Sequence, residues 1–168
     1  MSDLKRHIVD VPDFPRPGIL FRDITPLLRR QFPAMLDALQ ALFAPAEWEA
    51  VEALAGVESR GFVLAAALAA RLGKGFVPIR KGGKLPPPVV SAGYALEYGS
   101  GVLEMQRGEG RVLLFDDVLA TGGTLQASAE LCQTAGYQVR GLGVLIDLRL
   151  SGDFSWQGRP LRSVIRYD

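Results

Sequence analysis

The sequence predicts an α/β protein, a mainly parallel sheet flanked by helices, and three observations carry that expectation. The run Val112–Phe115 is unbroken and apolar, as in a strand buried on both faces. After it come the small-residue loop Thr121-Gly122-Gly123-Thr124 and a helical segment from Leu125 to Ala135 that stops at Gly136. The same order recurs upstream as strand Val51–Val57, loop Glu58–Gly61 and an alanine-rich helix Phe62–Leu72 closed by Gly73. Strands that alternate with helices build parallel sheets, and such sheets bind ligands beyond the carboxyl ends of their strands.

Taken in order, Met1–Val11 reads as a short helix or an extended arm. The segment 11–26 holds prolines at 12, 15, 17 and 26, too many for a regular element, and Phe14, Ile19, Leu20 and Phe21 give it apolar weight. Pro33 suits the first turn of a helix running to Phe43, with Met35, Leu36, Leu39, Leu42 and Phe43 as its core stripe. After the first strand–loop–helix unit, Gly75–Ile79 is a short strand leading into the basic loop Arg80-Lys81-Gly82-Gly83-Lys84, with the stiff run Pro86-Pro87-Pro88 behind it. Gly93–Tyr98 and Val102–Gln106 read as a hairpin turning at Gly99-Ser100-Gly101. Gly141–Leu148 is another buried strand, and the irregular segment 151–168 ends in a strand over Ser163–Tyr167.

Composition narrows the function classes. A chain of 168 residues is one domain's worth, and 19 Lys plus Arg against 18 Asp plus Glu leave no field that would favour nucleic acid or an anionic membrane. Any site for a polyanion must therefore be local. One cysteine and one histidine exclude an internal disulfide, a zinc site and Ser-His-Asp or Cys-His catalysis. Cys132 falls in the apolar rhythm of its helix and reads as core. There is no asparagine to glycosylate, no apolar leader at the start and no run long enough to span a membrane, so a cytoplasmic location is expected.

The loop chemistry is more specific. Gly122 and Gly123 let the backbone approach a ligand closely, and N–H groups at a helix start suit a phosphate, with Thr121 and Thr124 as further donors. Asp116 and Asp117, just upstream, would repel a phosphate, so they must face something else, and neighbouring sugar hydroxyls or a magnesium ion fit that requirement. A phosphate on one side and a diol or metal on the other describe a phosphorylated ribose.

The segment Arg111–Thr124 resembles the ribose-phosphate signature of the type I phosphoribosyltransferases, which bind phosphoribosyl pyrophosphate (PRPP). Three further stretches, Asp13–Pro26, Arg80–Pro86 and Leu96–Gly99, resemble the adenine-specific branch of that family. The resemblance implies the type I fold: a central parallel sheet, a hairpin with a flexible loop over 80–106, and a small hood over 1–30 that holds the base. It implies transfer of phosphoribose from PRPP to adenine, giving AMP and pyrophosphate, with Mg²⁺. By the same resemblance Ala120, Thr121, Gly122, Gly123 and Thr124 anchor the 5′-phosphate, and Asp116 and Asp117 hold the ribose hydroxyls and, through water, the metal. Ser59, Arg60, Arg80, Lys81 and Lys84 contact pyrophosphate, Leu20, Phe21 and Arg22 hold the base, and Tyr98 lies over the site. The resemblance also makes Glu97 a catalytic or base-contacting acid, either moving a proton on the purine or stabilising a cationic ribose. Relatives often send the basic loop into a neighbouring subunit's site, which implies a homodimer. Two rival readings are the same chemistry on hypoxanthine or guanine, and a non-enzymatic PRPP or purine sensor.

Overall fold

The computed structural model describes residues 3–96 and 99–167. Its chain falls into two compact units, Met1–Ala41 and Leu42–Asp168. In the first, a single 3₁₀ turn over Leu4–His7 leads into β1 (Val9–Val11), which pairs antiparallel with β2 (Phe21–Asp23). The proline-rich segment therefore contains one regular strand after all, because Phe21–Asp23 lies between the prolines and its N–H groups remain available for pairing. The turn between the strands is tied by Asp13 Oδ1 accepting the Gly18 N–H and by Phe14 N–H donating to the Ile19 carbonyl.

Helix α1 spans Thr25–Gln40 and is broken at Gln31 (φ −134°, ψ 27°). Pro33 explains the break, since it has no N–H to bond the carbonyl four residues back and its ring crowds the preceding turn. The expected helix start at Pro33 is thus the second half of a longer, kinked helix. Met35, Leu36 and Leu39 are buried, as the stripe predicts. The helix stops at Gln40, so Phe43 is buried from outside it.

The second unit opens with a short helix, α2 (Pro45–Glu49), which the sequence reading did not anticipate. Its Trp48 stacks on Phe115 at 6.1 Å, with Phe43 edge-on to both rings. There follow β3 (Ala53–Val57), α3 (Arg60–Leu72), β4 (Gly75–Lys81), the hairpin β5 (Val89–Leu96) and β6 (Gly99–Gln106), β7 (Gly110–Leu119), α4 (Gly123–Ala135) and β8 (Tyr137–Asp147). Two short strands, β9 (Ser155–Trp156) and β10 (Arg159–Pro160), precede β11 (Arg162–Arg166). The central sheet has the order β11-β8-β7-β3-β4-β6-β5, with β11, β8, β7, β3 and β4 parallel and the hairpin added antiparallel.

This order places the site. From β3 the chain crosses through α3 to β4 on one side, and from β7 through α4 to β8 on the other. The strand order reverses between β3 and β7, so the loops beyond their carboxyl ends diverge and leave a crevice, the usual ligand position in such sheets. Leu54, Ala55, Leu114 and Phe115 fill the sheet beneath it and are fully buried. Among the described residues no helix is long and apolar enough to cross a membrane.

Two boundaries differ from expectation in ways that matter for the site. Strand β7 does not stop at the acidic pair but runs through Asp116 and Asp117 to Leu119, paired with β8 as far as Asp147. Arg80 and Lys81 end strand β4 and pair with Glu104 and Leu103 of β6, instead of lying in a loop. In both cases a neighbouring strand supplies hydrogen-bond partners that extend the ladder past the apolar run. Likewise Gly99, Ser100 and Gly101 belong to β6, whose pairing with β5 closes at Leu96–Gly99.

Candidate active site

The crevice is built from two loop-to-helix transitions. At the first, β3 ends at Val57 and α3 begins at Arg60, so Glu58 and Ser59 form the whole connection. At the second, β7 ends at Leu119 and α4 begins at Gly123. Gly122 sits at φ +95°, a left-handed conformation that turns the chain into the helix. The ring of Phe154 backs Gly122, 2.9 Å from where a Cβ would stand, which fixes the loop from behind. The first N–H groups of each helix have no carbonyl within the helix to bond and point into the crevice side of the helix start, where an anion is favoured.

Asp116 and Asp117 lie where the two transitions meet. Both are buried, with relative exposures of 7% and 8%. Asp116 Oδ1 accepts the N–H of Asp117 at 2.8 Å. It also faces Gly61, where an added Cβ would come within 2.9 Å of that oxygen. Arg60 Nε stands 2.6 Å from Asp117 Oδ2, a charge contact that ties the start of α3 to β7. That contact is poorly aligned, so Asp117 Oδ2 is buried without a hydrogen-bond donor. Burial pushes the Asp116 carboxyl well above its ordinary range, and the neighbouring Asp117 charge adds to the effect.

The basic residues divide. Arg80 and Lys84 converge on Glu58, Arg80 Nε donating to Oε1 at 3.0 Å and Lys84 Nζ to Oε2 at 2.7 Å. Lys81 lines an open cavity of about 670 Å³ with Ser91, Tyr94 and Glu104. Successive side chains of a strand point to opposite faces, which separates Arg80 from Lys81. Of the other predicted residues, Ser59 and Thr121 are exposed, Ala120 and Thr124 half-buried and Gly122 buried. In the first unit Leu20 is exposed, Phe21 packs edge-on to Phe14 at 5.1 Å, and Arg22 forms an ion pair with Asp10 across the β1–β2 ladder. Glu97 and Tyr98 lie outside the described residues.

Sequence reasoning overlooked Glu104, Asp147 and Phe154. Glu104 is buried and its Oε1 accepts the main-chain N–H groups of Lys84 and Leu85, each at 2.7 Å. One signal was present, a lone carboxylate inside the apolar run Val102–Met105. Asp147 is buried at the end of β8, level with Leu119, and accepts the N–H of Arg149. Phe154 belongs to a segment without periodicity, so nothing marked it.

Buried carboxylates on a strand, an arginine at the facing helix start and two helix N-termini offer acceptors for hydroxyls and donors for phosphates. Residues 36–157 match the phosphoribosyl transferase domain. An adenine phosphoribosyltransferase of Hydrogenovibrio crunogenus is 52% identical over 166 residues, covering 98% of this chain and 96% of its own. The crystal structure of the Rhodothermus marinus adenine phosphoribosyltransferase superposes with a TM-score of 0.86 at 42% identity, over 98% of this chain and 96% of that one. The Saccharomyces cerevisiae enzyme, solved with an imino-altritol bisphosphate and adenine, gives 0.88 at 35% identity, over 98% and 97%. With these matches running nearly end to end, the chain belongs to the adenine phosphoribosyltransferases, on the type I phosphoribosyltransferase fold.

Proposed function

We propose that the protein transfers the 5-phosphoribosyl group of PRPP to N9 of adenine, releasing pyrophosphate and forming AMP. The observation that carries this reading is the meeting of two anion-binding helix starts at a buried carboxylate pair, with Arg60 bridging them. In this reaction the C1′–N9 bond forms, the C1′–oxygen bond to pyrophosphate breaks, and the N9 proton is lost. Positive charge develops on the ribose while negative charge gathers on the leaving group.

The residues divide the work by charge. Backbone N–H groups over 120–124 and the Thr121 and Thr124 hydroxyls hold the 5′-phosphate at the start of α4. Asp116 and Asp117 accept from the ribose hydroxyls. Their negative charge also favours the cationic ribose of the transition state. Ser59 and Arg60, with Arg80, Lys81 and Lys84, receive the pyrophosphate. Leu20, Phe21 and Arg22 hold the adenine, and Glu97, with Tyr98 beside it, manages the purine proton or steadies the ribose cation.

The donors also suit Mg²⁺. Asp117 Oδ2 is a buried carboxylate oxygen that has the Arg60 charge contact but no hydrogen bond, and burial with the Asp117 charge pushes the Asp116 carboxyl beside it up, a penalty that a further cation would relieve. No group of three acidic, histidine or cysteine side chains surrounds the pair among the described residues. A magnesium ion that keeps waters and takes its remaining ligands from phosphate fits such a site. Bound there, it would offset charge on the departing pyrophosphate. The family resemblance also supports a cytoplasmic homodimer, which light scattering on the purified protein tests.

The deciding assay incubates the protein with PRPP, Mg²⁺ and one base at a time, following nucleotide and pyrophosphate. AMP from adenine alone is the expected result. Turnover only with hypoxanthine or guanine would overturn the assignment of Leu20–Arg22, and PRPP binding without turnover on any base would favour the sensor.

A further inference from the structure

Around Glu58 four charged side chains form a network, and its two carboxylates, Glu58 and Glu104, have no part in the reaction as described. Glu58 has only 7% of its side chain exposed and takes Lys84 Nζ on one oxygen and Arg80 Nε on the other. Arg80 also reaches the Lys84 carbonyl at 3.4 Å through Nη1. Glu104, the register partner of Arg80, clamps the main chain of Lys84 and Leu85. Burial by itself would raise the Glu58 carboxyl, but hydrogen bonds from Lys84 and Arg80 outweigh it and hold the group below its ordinary value. Glu58 is therefore ionised at neutral pH and fully engaged by two cations.

We propose that Glu58 is an internal counter-anion that occupies the pyrophosphate clamp and exchanges with the incoming or departing pyrophosphate. The inference rests on the assignment of Arg80 and Lys84 to pyrophosphate. Its physical basis is the division of labour between the two carboxylates. Glu104 fixes main chain, so Lys84 is free to move only in its side chain. Glu58 holds side chains that are themselves 34% and 47% exposed, and ion pairs at such half-hydrated groups exchange at low cost. Without Glu58 two cations would face one another across the clamp. With it, they stay convergent, and a bound polyanion must compete with a fixed negative charge. That competition weakens pyrophosphate binding and hastens its release, which makes Glu58 a positioning residue for the leaving group.

The test uses the full-length protein and inorganic pyrophosphate with Mg²⁺ as the probe, read by titration calorimetry. Glu58→Gln is expected to bind pyrophosphate about five- to tenfold more tightly, the effect of removing one nearby charge from a partly hydrated site. Product formation under rapid mixing should also show a burst, because release slows while chemistry does not. A damaged scaffold would weaken binding, so tightening separates the two roles. Unchanged or weaker binding by a folded Glu58→Gln protein overturns the counter-anion. If that variant does not fold, Glu58→Asp, which keeps the charge but is too short to engage both cations, should tighten binding roughly two- to threefold. Unchanged or weaker binding by Glu58→Asp overturns it as well. Absence of pyrophosphate binding by the wild-type protein would overturn the assignment of Arg80 and Lys84, and the inference with it.

Discussion

Gly61→Ala tests whether the start of α3 must lie against Asp116. A Cβ at Gly61 would stand 2.9 Å from Asp116 Oδ1 and 3.3 Å from both the Asp116 Cα and the Phe115 carbonyl oxygen. The first of these atoms can swing aside, but the other two are backbone of a central strand and cannot. Relief therefore requires turning the Asp116 carboxylate and lifting the helix start by a few tenths of an ångström. Overpacking of this kind costs about 1–3 kcal/mol. Alanine is favoured over glycine inside a helix by up to about 1 kcal/mol, which offsets part of that cost. The net loss of about 0–3 kcal/mol corresponds to a Tm lowered by roughly 0–12 °C for a chain of this size. On the proposed function activity should suffer more than stability, because the loops that move are those assigned to both ends of the substrate. A displacement approaching 1 Å at a reacting centre can cost about 10²-fold, so a fall of roughly 10- to 100-fold in kcat/KM for PRPP is expected. Steady-state kinetics with adenine saturating, beside a thermal melt, measures both. A variant that keeps wild-type kcat/KM and melts at the same temperature or higher would refute the claim that this contact sets the site.

Asp117→Asn keeps the shape of the side chain and removes its charge. On the proposed function it should lower kcat/KM for PRPP by about 10- to 100-fold, the worth of a charged hydrogen bond to a ribose hydroxyl, with Tm little changed because relief of the like charge at Asp116 offsets loss of the Arg60 contact. A change under twofold would count against the assignment. Arg162→Met removes a bidentate pair with Glu47, a bond to the Leu42 carbonyl and a guanidinium held 4.6 Å over the Phe43 ring. Because the ion pair is more than a third exposed, the expected loss is only about 1–2 kcal/mol, seen in chemical denaturation. Hydrogen bonding from Arg162 holds the Glu47 carboxyl below its ordinary 4.5, so its contribution is present above that pH and lost as pH falls through the lowered value. The deficit of Arg162→Met should therefore shrink in acid; a deficit that grew would show the sign to be wrong. Burial pushes the Cys132 thiol up to about 12, so the native protein should resist iodoacetamide at neutral pH, and mass spectrometry should find alkylation only after denaturation.

Much of this protein was legible in one dimension because its signals are local. The apolar run at Val112, the paired glycines and the acidic pair are adjacent in the chain, and their chemistry follows from residue type. The alternation of strand and helix likewise specified the parallel sheet, since a crossover helix is the short route between parallel neighbours. The same locality explains the errors. Strand ends were placed where the apolar pattern stopped, at Phe115 and Ile79, but a ladder continues as long as the next strand offers partners. Asp116, Asp117, Arg80 and Lys81 are strand residues for that reason. The fate of the cations was also invisible, because Glu58 lies 22 and 26 positions from Arg80 and Lys84. Composition and motif determined which residues line the crevice: two strand-to-helix turns, an acidic pair and a basic cluster. Only the tertiary structure decided which charges meet, because the sheet order brings β3 against β7 and sets Arg60 on Asp117, while alternation along β4 parts Lys81 from the pair gathered at Glu58.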